Sequence, residues 1–249
     1  MAKTPAKTAD SAPDISVVVP VFDEEGAAPA LAREIAAAFA GRNFEIVFVD
    51  DKSRDGTVAA LSALKTELPQ LRILKHRANS GQSRAIRTGI LGARGDIIVT
   101  LDGDGQNDPA DGPKLVDALV AGPPELALVG GERVKRQDSQ AKKIASKFGN
   151  GVRKRLLKDT ANDTGCGLKA FRREAFLRLP YFDHIHRYIP ALMIREGYQV
   201  DFRAVNHRHR QTGASKYTNF GRLMASVSDL LGVMWLQTRA RNPGGADEV

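Results

Sequence analysis

Cysteine is almost absent from the chain, and aromatic residues are few. Cys166 is the single cysteine among 249 residues, which excludes a disulfide framework and a zinc site built from several thiolates. A lone thiol also fits a reducing compartment. Aromatic residues make up 6% of the sequence, whereas single-strand nucleic-acid binders depend on aromatic side chains that stack on bases. The composition therefore argues against such a stacking module.

Long apolar runs are missing as well. No stretch approaches the roughly 18 consecutive apolar residues that a membrane-spanning helix needs. The lysines of residues 1–13 are not followed by the apolar segment of a secretory signal. Residues 1–13 lack periodicity and are predicted to form a disordered tail, and residues 241–249 a flexible one. We therefore expect a chain that is neither exported nor inserted across a membrane.

Charge of the two signs is divided unequally along the chain. Residues 1–130 have a formal net charge of −4 and residues 131–249 one of +12, which together give +8. An acidic half can hold a cation, and a basic half can bind phosphate groups or an anionic membrane surface. Uneven but ordinary solvated charge is the alternative interpretation.

Short, continuously apolar segments alternate with segments of helical periodicity in the first half. Strands are predicted at 15–20, 44–49, 71–75, 96–101 and 126–129. Helices are predicted at 28–40, 56–68, 83–93 and 111–120. Apolar strands that alternate with such helices are typical of an α/β fold with a mostly parallel sheet flanked by helices. Ligands of such sheets bind beyond the carboxyl ends of the strands.

After residue 130 the pattern becomes less regular and more basic. It predicts strands at 167–171 and 198–207 and helices at 140–157, 184–196 and 219–238. No Pro/Ser-rich segment of the kind that links domains separates the two halves. We therefore expect a single domain at 14–240, in which a basic C-terminal helical elaboration (131–240) follows the first half (14–130).

Two of these C-terminal helices have features that suit a membrane surface. Helix 140–157 carries six Lys and Arg residues, and anionic lipids attract basic residues by about 1 kcal/mol each, although a solvated face is equally open. In helix 219–238 one apolar stripe is formed by Leu223, Val227, Leu230, Leu231, Met234 and Trp235. Contact with a membrane interface and packing on the core both remain open for this stripe.

An acidic motif follows the fourth predicted strand. Asp102, Asp104 and Gln106 alternate along the sequence, so in an extended segment their side chains would point the same way. Three oxygen ligands of this kind suit Mg²⁺ or Mn²⁺, which keeps positions open for substrate phosphates. A polar turn that happens to carry Asp and Gly is the alternative. The position at a strand end favours the metal site.

Two further acidic loops follow the first and second strands. Asp51 stands where a carboxylate can bind a ribose hydroxyl or a base edge, while Asp55 is predicted to cap the next helix. After the first strand, Phe22 can flank a nucleobase and Glu24 can contact base or ribose, unless Glu24 only favours the positive end of a helix. Because parallel strands end at one edge, these loops predict a shared nucleotide and cation site.

Together, these loops resemble the inverting nucleotide-sugar glycosyltransferases of family two, which have the GT-A fold. P-V-F-D-E-E (20–25) is similar to the family's P-x-Y-N-E, and V-D-D-K-S-R-D-G-T (49–57) to V-D-D-x-S-x-D-x-T. N-S-G-Q-S-R-A (79–85) is similar to N-x-G-x-x-x-A, and L-D-G-D-G-Q-N-D-P (101–109) to D-x-D-x-Q-x-x-P. The sequence departs from the family at Phe22, where Tyr is usual, and at Asp23, where Asn is usual.

Motifs in the second half of the sequence resemble a more specific group within this family. G-E-R (131–133), D-T-G-C-G-L-K-A-F-R (163–172) and R-Q-T-G-A-S-K-Y (210–217) resemble dolichol-phosphate mannosyltransferases and bacterial polyprenyl-phosphate glycosyltransferases. The resemblance implies a Rossmann-like GT-A domain. It also implies transfer of a hexosyl group, with inversion, from a GDP- or UDP-linked sugar to a dolichyl or undecaprenyl phosphate, for cell-envelope or glycoconjugate synthesis.

The resemblance further implies roles for individual residues. Mg²⁺ or Mn²⁺ would be held by Asp102, Asp104 and Gln106. The catalytic residues would be Asp102, Asp104 and Asp163, with Asp163 near the acceptor. The donor would be bound by Pro20, Phe22, Glu24, Val49, Asp51, Asp102, Gly103, Asp104, Arg133, Arg210 and Lys216. The acceptor would be bound by Arg133, Arg136 and Ser146.

A lipid phosphate acceptor has a chemical consequence. A hydroxyl acceptor needs a general base, whereas a phosphomonoester is already anionic near neutral pH because its second pKa is about 6. The resemblance thus gives Asp163 a positioning role before a proton-abstracting one; a loop Asp that caps the following turn is the alternative. As partners we expect an anionic membrane surface and no nucleic acid. The protein would lie peripherally on the inner, cytoplasmic face of a membrane, and an oligomer is left open.

Other functions remain open at this level. Transfer to a sugar hydroxyl of a polysaccharide or glycolipid is one, although the Q-x-x-R-W signature of processive members is absent. A basic nucleic-acid-binding module is a second. A catalytically inactive, membrane-docked interaction protein is a third, and the intact acidic motif argues against it.

Overall fold

The computed structural model describes residues 12–133, 151, 153, 155–157, 163, 165–208 and 219–241, except for the side chains of 219–226. The strands are β1 (Ile15–Val21), β2 (Phe44–Asp50), β3 (Leu71–Lys75), β4 (Ile97–Thr100), β5 (Leu126–Arg133), β6 (Lys169–Arg172) and β7 (Gln199–Val205). The α-helices are α1 (Ala28–Ala38), α2 (Thr57–Ala63), α3 (Gln82–Gly92), α4 (Gly112–Ala121), α5 (Arg173–Leu177), α6 (Ile189–Arg195) and α7 (Asn219–Thr238). Short 3₁₀ helices cover Pro109–Asp111 and Ile185–Arg187.

In the described residues the strands form one seven-stranded sheet in the order β3-β2-β1-β4-β6-β5-β7. β1 runs parallel to β2 and β4, β2 to β3, and β5 to β7. Within this sheet β6 is antiparallel to both of its neighbours, β4 and β5. Because β6 runs the opposite way, its first residue, Lys169, lies where β4 and β5 approach their ends, in register with Thr100 and Gly130.

Both faces of the sheet are covered at its centre, which explains why central strands such as β1 are largely apolar. All seven residues of β1 are buried. One core cluster includes Ile35 of α1 and Leu115 of α4, and the other includes Ile90 of α3 and Leu192 of α6. The predicted α/β fold, with a mostly parallel sheet flanked by helices, is confirmed.

The clearest difference from the predicted elements lies between residues 184 and 196. The periodicity predicts one helix there, but the structure has a 3₁₀ helix followed by α6. His184 adopts a left-handed conformation with a φ of 63°, and Pro190 in the first turn of α6 has no N–H to continue a helix that began earlier. The predicted basic helix 140–157 and the two predicted tails lie largely outside the described residues.

A buried carboxylate joins β1, β2 and β3 at the edge opposite to their carboxyl ends. Glu45 accepts hydrogen bonds from the Ser16 hydroxyl (2.7 Å), the Arg94 main-chain N–H (2.7 Å) and the Arg72 guanidinium (2.6 Å). Burial alone would raise the pKa of Glu45. The three hydrogen bonds and the Arg72 charge outweigh burial, so the pKa lies below its ordinary value of 4.5.

We expect Glu45→Gln to lower the free energy of unfolding at neutral pH by about 1.5–3 kcal/mol, since it replaces charge-assisted hydrogen bonds. A carboxyl group with a lowered folded-state pKa contributes stability above its unfolded pKa and loses it as the pH falls. The difference from wild type should therefore shrink as the pH falls below the ordinary value of 4.5.

Urea unfolding between about pH 3 and pH 8 measures this difference. Glu67→Gln is the matched control, because Glu67 pairs with Arg33 while half of its side chain is exposed, and surface pairs contribute little. A difference between Glu45→Gln and wild type that stayed constant down to low pH would contradict the argument.

Candidate active site

A cleft of about 790 Å³ opens at the edge of the sheet where β1, β2, β4 and β5 end. Its walls come from the loops after β1, β2 and β4, the start of α3, the segment before β6, and the 3₁₀ helix before α6. Small-molecule sites commonly have volumes of about 300–1,000 Å³. Charged residues of both halves of the sequence meet here, namely Glu24, Asp51, Asp102, Asp104, Arg133, Lys169 and Arg187.

The acidic motif after β4 forms a turn and not an extended segment. β4 ends at Thr100, residues 103 and 104 lie in a turn, and Gly105 has a φ of 73°. The expectation that the three predicted metal ligands alternate along an extended chain is therefore wrong. Asp102 and Asp104 both line the cleft, whereas Gln106 does not; its main-chain N–H donates to Asp104 Oδ1 (3.1 Å).

Asp102 lies partly exposed on the floor of the cleft. Its Oδ1 accepts a hydrogen bond from Gln82 Nε2 (2.8 Å). The main chain of Gly167 comes so close that a Cβ there would overlap the carboxylate. Burial and then the charge of Asp104 raise the pKa of Asp102 to about 6, against the charges of Lys169 and Arg133. A divalent cation would relieve this crowding of like charges.

The carboxylate oxygens of Asp102 and Asp104 are ligands that suit such a cation. Within the described ranges, no group of three or more His, Cys, Asp or Glu side chains is arranged to hold a metal ion. Asp102 and Asp104 both line the cleft and would supply two carboxylates, and the other positions would be filled by substrate phosphates and water. Mg²⁺ is commonly bound in this way, through one or two carboxylates and a phosphate-bearing substrate.

The loop after β1 is held by the loop after β2. The main-chain N–H of Asp23 donates to the Ser53 hydroxyl (2.9 Å), and the Asp23 carboxylate pairs with Arg54 (2.5 Å). The guanidinium carbon of Arg54 lies 5.2 Å from the centre of the Phe22 ring. These contacts hold Phe22 at the wall of the cleft, where the sequence predicts a contact with the nucleobase.

Asp51 organises the chain just before α3. Its Oδ1 accepts the main-chain N–H of Ser80 (2.9 Å) and pairs with His76 Nδ1 (2.7 Å), and its Oδ2 accepts the N–H of Gly81 (2.8 Å). Gly81 has a φ of 85°, which favours glycine. Asp51 lines the cleft and also positions the start of α3, a structural role that the sequence does not predict.

Asp163 and Arg133 form a two-point ion pair. Arg133 Nε donates to Asp163 Oδ2 (2.5 Å), and Arg133 Nη2 donates to Asp163 Oδ1 (2.7 Å). The side chains are 15% and 9% exposed, respectively. Arg133 lines the cleft and Asp163 does not. Asp163 therefore holds the Arg133 guanidinium at the cleft, and the predicted catalytic role of Asp163 stays a prediction.

Among the polar residues that line the cleft, the sequence assigns no role to several, including Gln82, Lys169, His186 and Arg187. His186 Nδ1 hydrogen-bonds the Ser83 hydroxyl (2.7 Å), and burial lowers the pKa of His186 well below its usual value, so the ring is neutral. Gln82 and Lys169 do lie inside segments that resemble the family, and that is the signal that could have identified them. His186 and Arg187 come from the segment predicted as continuous helix.

The other predicted site residues divide into three groups. Pro20, Glu24 and Gly103 line the cleft. The side chain of Val49 is fully buried in the core cluster that includes α3, so it packs against apolar neighbours instead of lining the cleft. The predicted phosphate and acceptor contacts Arg136, Ser146, Arg210 and Lys216 lie outside the described residues, and their roles stay predictions.

Comparison with known proteins identifies relatives along most of the chain. The sequence profile described as Glycosyl transferase family 2 matches residues 16–179. A dodecaprenyl-phosphate galacturonate synthase from Rhizobium johnstonii is 36% identical over 237 residues, which are 93% of this chain and 69% of that protein. An undecaprenyl-phosphate 4-deoxy-4-formamido-L-arabinose transferase from Pectobacterium carotovorum subsp. carotovorum is 36% identical over 229 residues, which are 89% of this chain and 68% of that protein.

Solved structures with lower sequence identity share the GT-A-like fold. Glucosyl-3-phosphoglycerate synthase from Mycobacterium tuberculosis, in complex with Mn²⁺, uridine diphosphate and phosphoglyceric acid, has a TM-score of 0.66 at 18% identity and covers 93% of this chain and 81% of its own. A mannosyltransferase from Pyrobaculum calidifontis, in complex with GDP-Man and Mn²⁺, has a TM-score of 0.64 at 20% identity and covers 96% of this chain and 69% of its own. The family profile covers more than half of the chain, so the protein belongs to glycosyl transferase family 2 and is a glycosyltransferase.

Proposed function

We propose that this protein transfers a sugar from a GDP- or UDP-linked donor to a polyprenyl phosphate, with inversion at the anomeric carbon and with Mg²⁺ or Mn²⁺ as cofactor. The observation that carries the proposal is the cleft in which Asp102 and Asp104 stand beside Arg133 and Lys169. Carboxylates suit the cation, and basic side chains suit phosphate groups.

The nucleotide would occupy the end of the cleft formed by the loops after β1 and β2. Phe22 offers a ring face to a nucleobase, and Asp51 and Glu24 offer carboxylates to base or ribose. The contacts among these loops hold their backbone before any ligand arrives. A pre-formed wall of this kind reduces the ordering cost of binding.

The cation would bind where the donor diphosphate meets Asp102 and Asp104. A bound divalent cation supplies positive charge that stabilises the departing diphosphate. Gln82 Nε2 donates a hydrogen bond to Asp102 Oδ1 (2.8 Å). The main chain of Gly167 lies so close to the Asp102 carboxylate that the carboxylate has little room to rotate away from the cleft. These residues therefore orient Asp102 toward the cleft.

The Arg133–Asp163 pair favours a phosphate acceptor over a sugar hydroxyl. A hydroxyl must lose a proton to a general base. Asp163 is the acid that the family resemblance implies near the acceptor, and a proton on it would break a mostly buried ion pair. A lipid phosphate needs no such base, since it is anionic near neutral pH. The names of the two relatives above also specify polyprenyl phosphates, which supports this acceptor class.

We propose a peripheral position on the inner face of a membrane, as the resemblance implies, and the last helix supports contact with a membrane surface. Val227, Leu231 and Trp235 recur every four residues on α7 and are 48%, 60% and 58% exposed. Leu230 and Met234 on the adjoining face pack against the core. The predicted apolar stripe thus divides into a packed face and an exposed face, and an exposed amphipathic face with Trp suits a membrane interface. In the described part of the chain, no helix has the length and apolarity of a membrane span.

A panel of nucleotide sugars tests the proposal. UDP- and GDP-linked sugars, both neutral and acidic, are incubated with a short polyprenyl phosphate and Mg²⁺ or Mn²⁺, and lipid-linked sugar is measured. We expect a β-linked product from an α-linked donor, formed only when lipid phosphate and cation are both present. The matching polyprenol without phosphate is the control and should accept no sugar.

Three results would contradict the proposal. Retention of configuration would exclude the inverting reaction. Transfer to the polyprenol would show that the acceptor phosphate is not the nucleophile. Release of free sugar at the same rate with and without lipid would show that water, and not the lipid, accepts the sugar.

A further inference from the structure

Lys169 is a buried cation that makes no ion pair among the described residues. It is 5% exposed, and its Nζ donates a hydrogen bond to the main-chain carbonyl of Cys166. Burial lowers the pKa of Lys169, although the nearby charges of Asp102 and Asp163 act in the opposite direction. Arg133, on the neighbouring strand, differs because its charge is matched by the adjacent Asp163 carboxylate.

The antiparallel course of β6 brings Lys169 into the cleft. Lys169 is the first residue of β6. It lies in register with Thr100 of β4, which is two residues before Asp102. It also lies in register with Gly130 of β5, which is three residues before Arg133. The Thr100 hydroxyl donates to the Gly167 carbonyl (2.7 Å) and fixes the segment that leads into β6. Lys169 therefore lines the floor of the cleft between the candidate cation ligands and the Arg133–Asp163 pair.

An unpaired ammonium group in such a place is unfavourable for the free protein. Removal of a charge from water costs free energy that one carbonyl contact does not repay, and a neutral side chain of similar size would be more stable. No carboxylate of the described residues forms an ion pair with Lys169, and a negatively charged group that enters the cleft can supply this partner, because Lys169 lines the cleft. The substrates of the proposed reaction carry such groups.

We propose that Lys169 binds a phosphate group of a substrate, either the diphosphate of the donor or the monophosphate of the acceptor. The assignment rests on the proposed function, because it requires phosphate-bearing substrates. A lysine ammonium suits phosphate as a compact point charge. Lys169 thus supplies positive charge to the cleft, while the Arg133 charge is largely matched by Asp163.

Lys169→Met tests this assignment in the full chain, because methionine keeps much of the stem and removes the charge. Without substrate, we expect the midpoint of thermal unfolding to rise by about 2–4 °C. With Mn²⁺ present, affinity for one phosphate probe should fall roughly tenfold to hundredfold. The probes are farnesyl phosphate and whichever of UDP and GDP binds wild type more tightly, and calorimetry measures both.

Two control variants separate charge from structure. Lys65→Met removes an exposed lysine in the turn after α2 and should change neither the midpoint nor the affinities. Lys169→Arg keeps a positive charge at the same site and should retain more affinity than Lys169→Met. If the arginine variant loses as much affinity as the methionine variant, the charge is not what binds, and the proposal is overturned.

The two probes also distinguish the possible sources of the phosphate. Loss of nucleoside diphosphate affinity alone assigns Lys169 to the donor, and loss of farnesyl phosphate affinity alone assigns it to the acceptor. Unchanged affinity for both probes overturns the proposal, whatever happens to thermal unfolding. If wild type binds neither UDP nor GDP, the proposed function itself fails, and this assignment falls with it.

Discussion

Asp102→Asn and Asp104→Asn should each lower the rate of sugar transfer to polyprenyl phosphate by at least about 100-fold. Both carboxylates line the same cleft. Each substitution replaces one negatively charged ligand by a neutral amide, so the cation would be held weakly beside the donor diphosphate. Initial rates at saturating donor and Mn²⁺ measure the effect, once the panel of nucleotide sugars has identified a donor.

The same substitutions should leave the fold intact. Burial and the charge of Asp104 make ionisation of Asp102 less favourable in the free protein and raise its pKa to about 6. An amide in its place removes that repulsion and can still accept the Gln82 hydrogen bond. The midpoint of thermal unfolding without metal should therefore equal or exceed that of wild type for Asp102→Asn.

Asp117→Asn is the matched control for both variants. Asp117 lies on α4, pairs with Arg42 and has a side chain that is 64% exposed, so transfer should proceed at the wild-type rate. Near-native turnover of Asp102→Asn or Asp104→Asn in EDTA-treated, metal-free buffer would show that the proposed cation site is wrong.

Asp163→Ala should lower the free energy of unfolding by about 3–5 kcal/mol, since it leaves a mostly buried guanidinium without its carboxylate. The double variant Arg133→Met/Asp163→Leu should recover much of this loss, because apolar side chains of similar volume often replace a buried ion pair at little cost. Urea unfolding of Arg133→Met, Asp163→Leu and the double variant gives the coupling energy of the pair.

In these Arg133 and Asp163 variants, the rate of sugar transfer should not follow the free energy of unfolding. Arg133 faces the cleft, so the double variant should regain the fold and remain poorly active. Arg33→Ala/Glu67→Ala is the control, since this pair is about half exposed and should show little coupling. Additive losses of stability at positions 133 and 163 would contradict the two-point pair.

Most of the sheet and its helices could be predicted from short-range pattern. The strand predicted at 15–20 is β1 at Ile15–Val21, and the helix predicted at 83–93 is α3 at Gln82–Gly92. Continuous apolar runs report burial on two faces, and helical spacing reports burial on one. Both signals are local, so they need no knowledge of which strands become neighbours.

The conformation of two segments could not be predicted in this way. The acidic motif was expected to be extended, but Gly105 with its φ of 73° belongs to a turn. The helix expected at 184–196 is divided into a 3₁₀ helix and α6, and Pro190 in the first turn of α6 has no N–H to continue a helix that began earlier. In both segments a few backbone dihedral angles decide which side chains face the cleft, and hydrophobic periodicity carries no information about them.

The sequence by itself determined the α/β class, the division of charge between the halves, and the acidic motifs at the ends of the strands. These properties depend on residue type and spacing within short segments. Only the tertiary structure decided that Asp163 pairs with Arg133, and that Lys169 enters the cleft without an ion pair among the described residues. The physical reason is the antiparallel insertion of β6 between β4 and β5, a pairing between segments distant in sequence that no local pattern encodes.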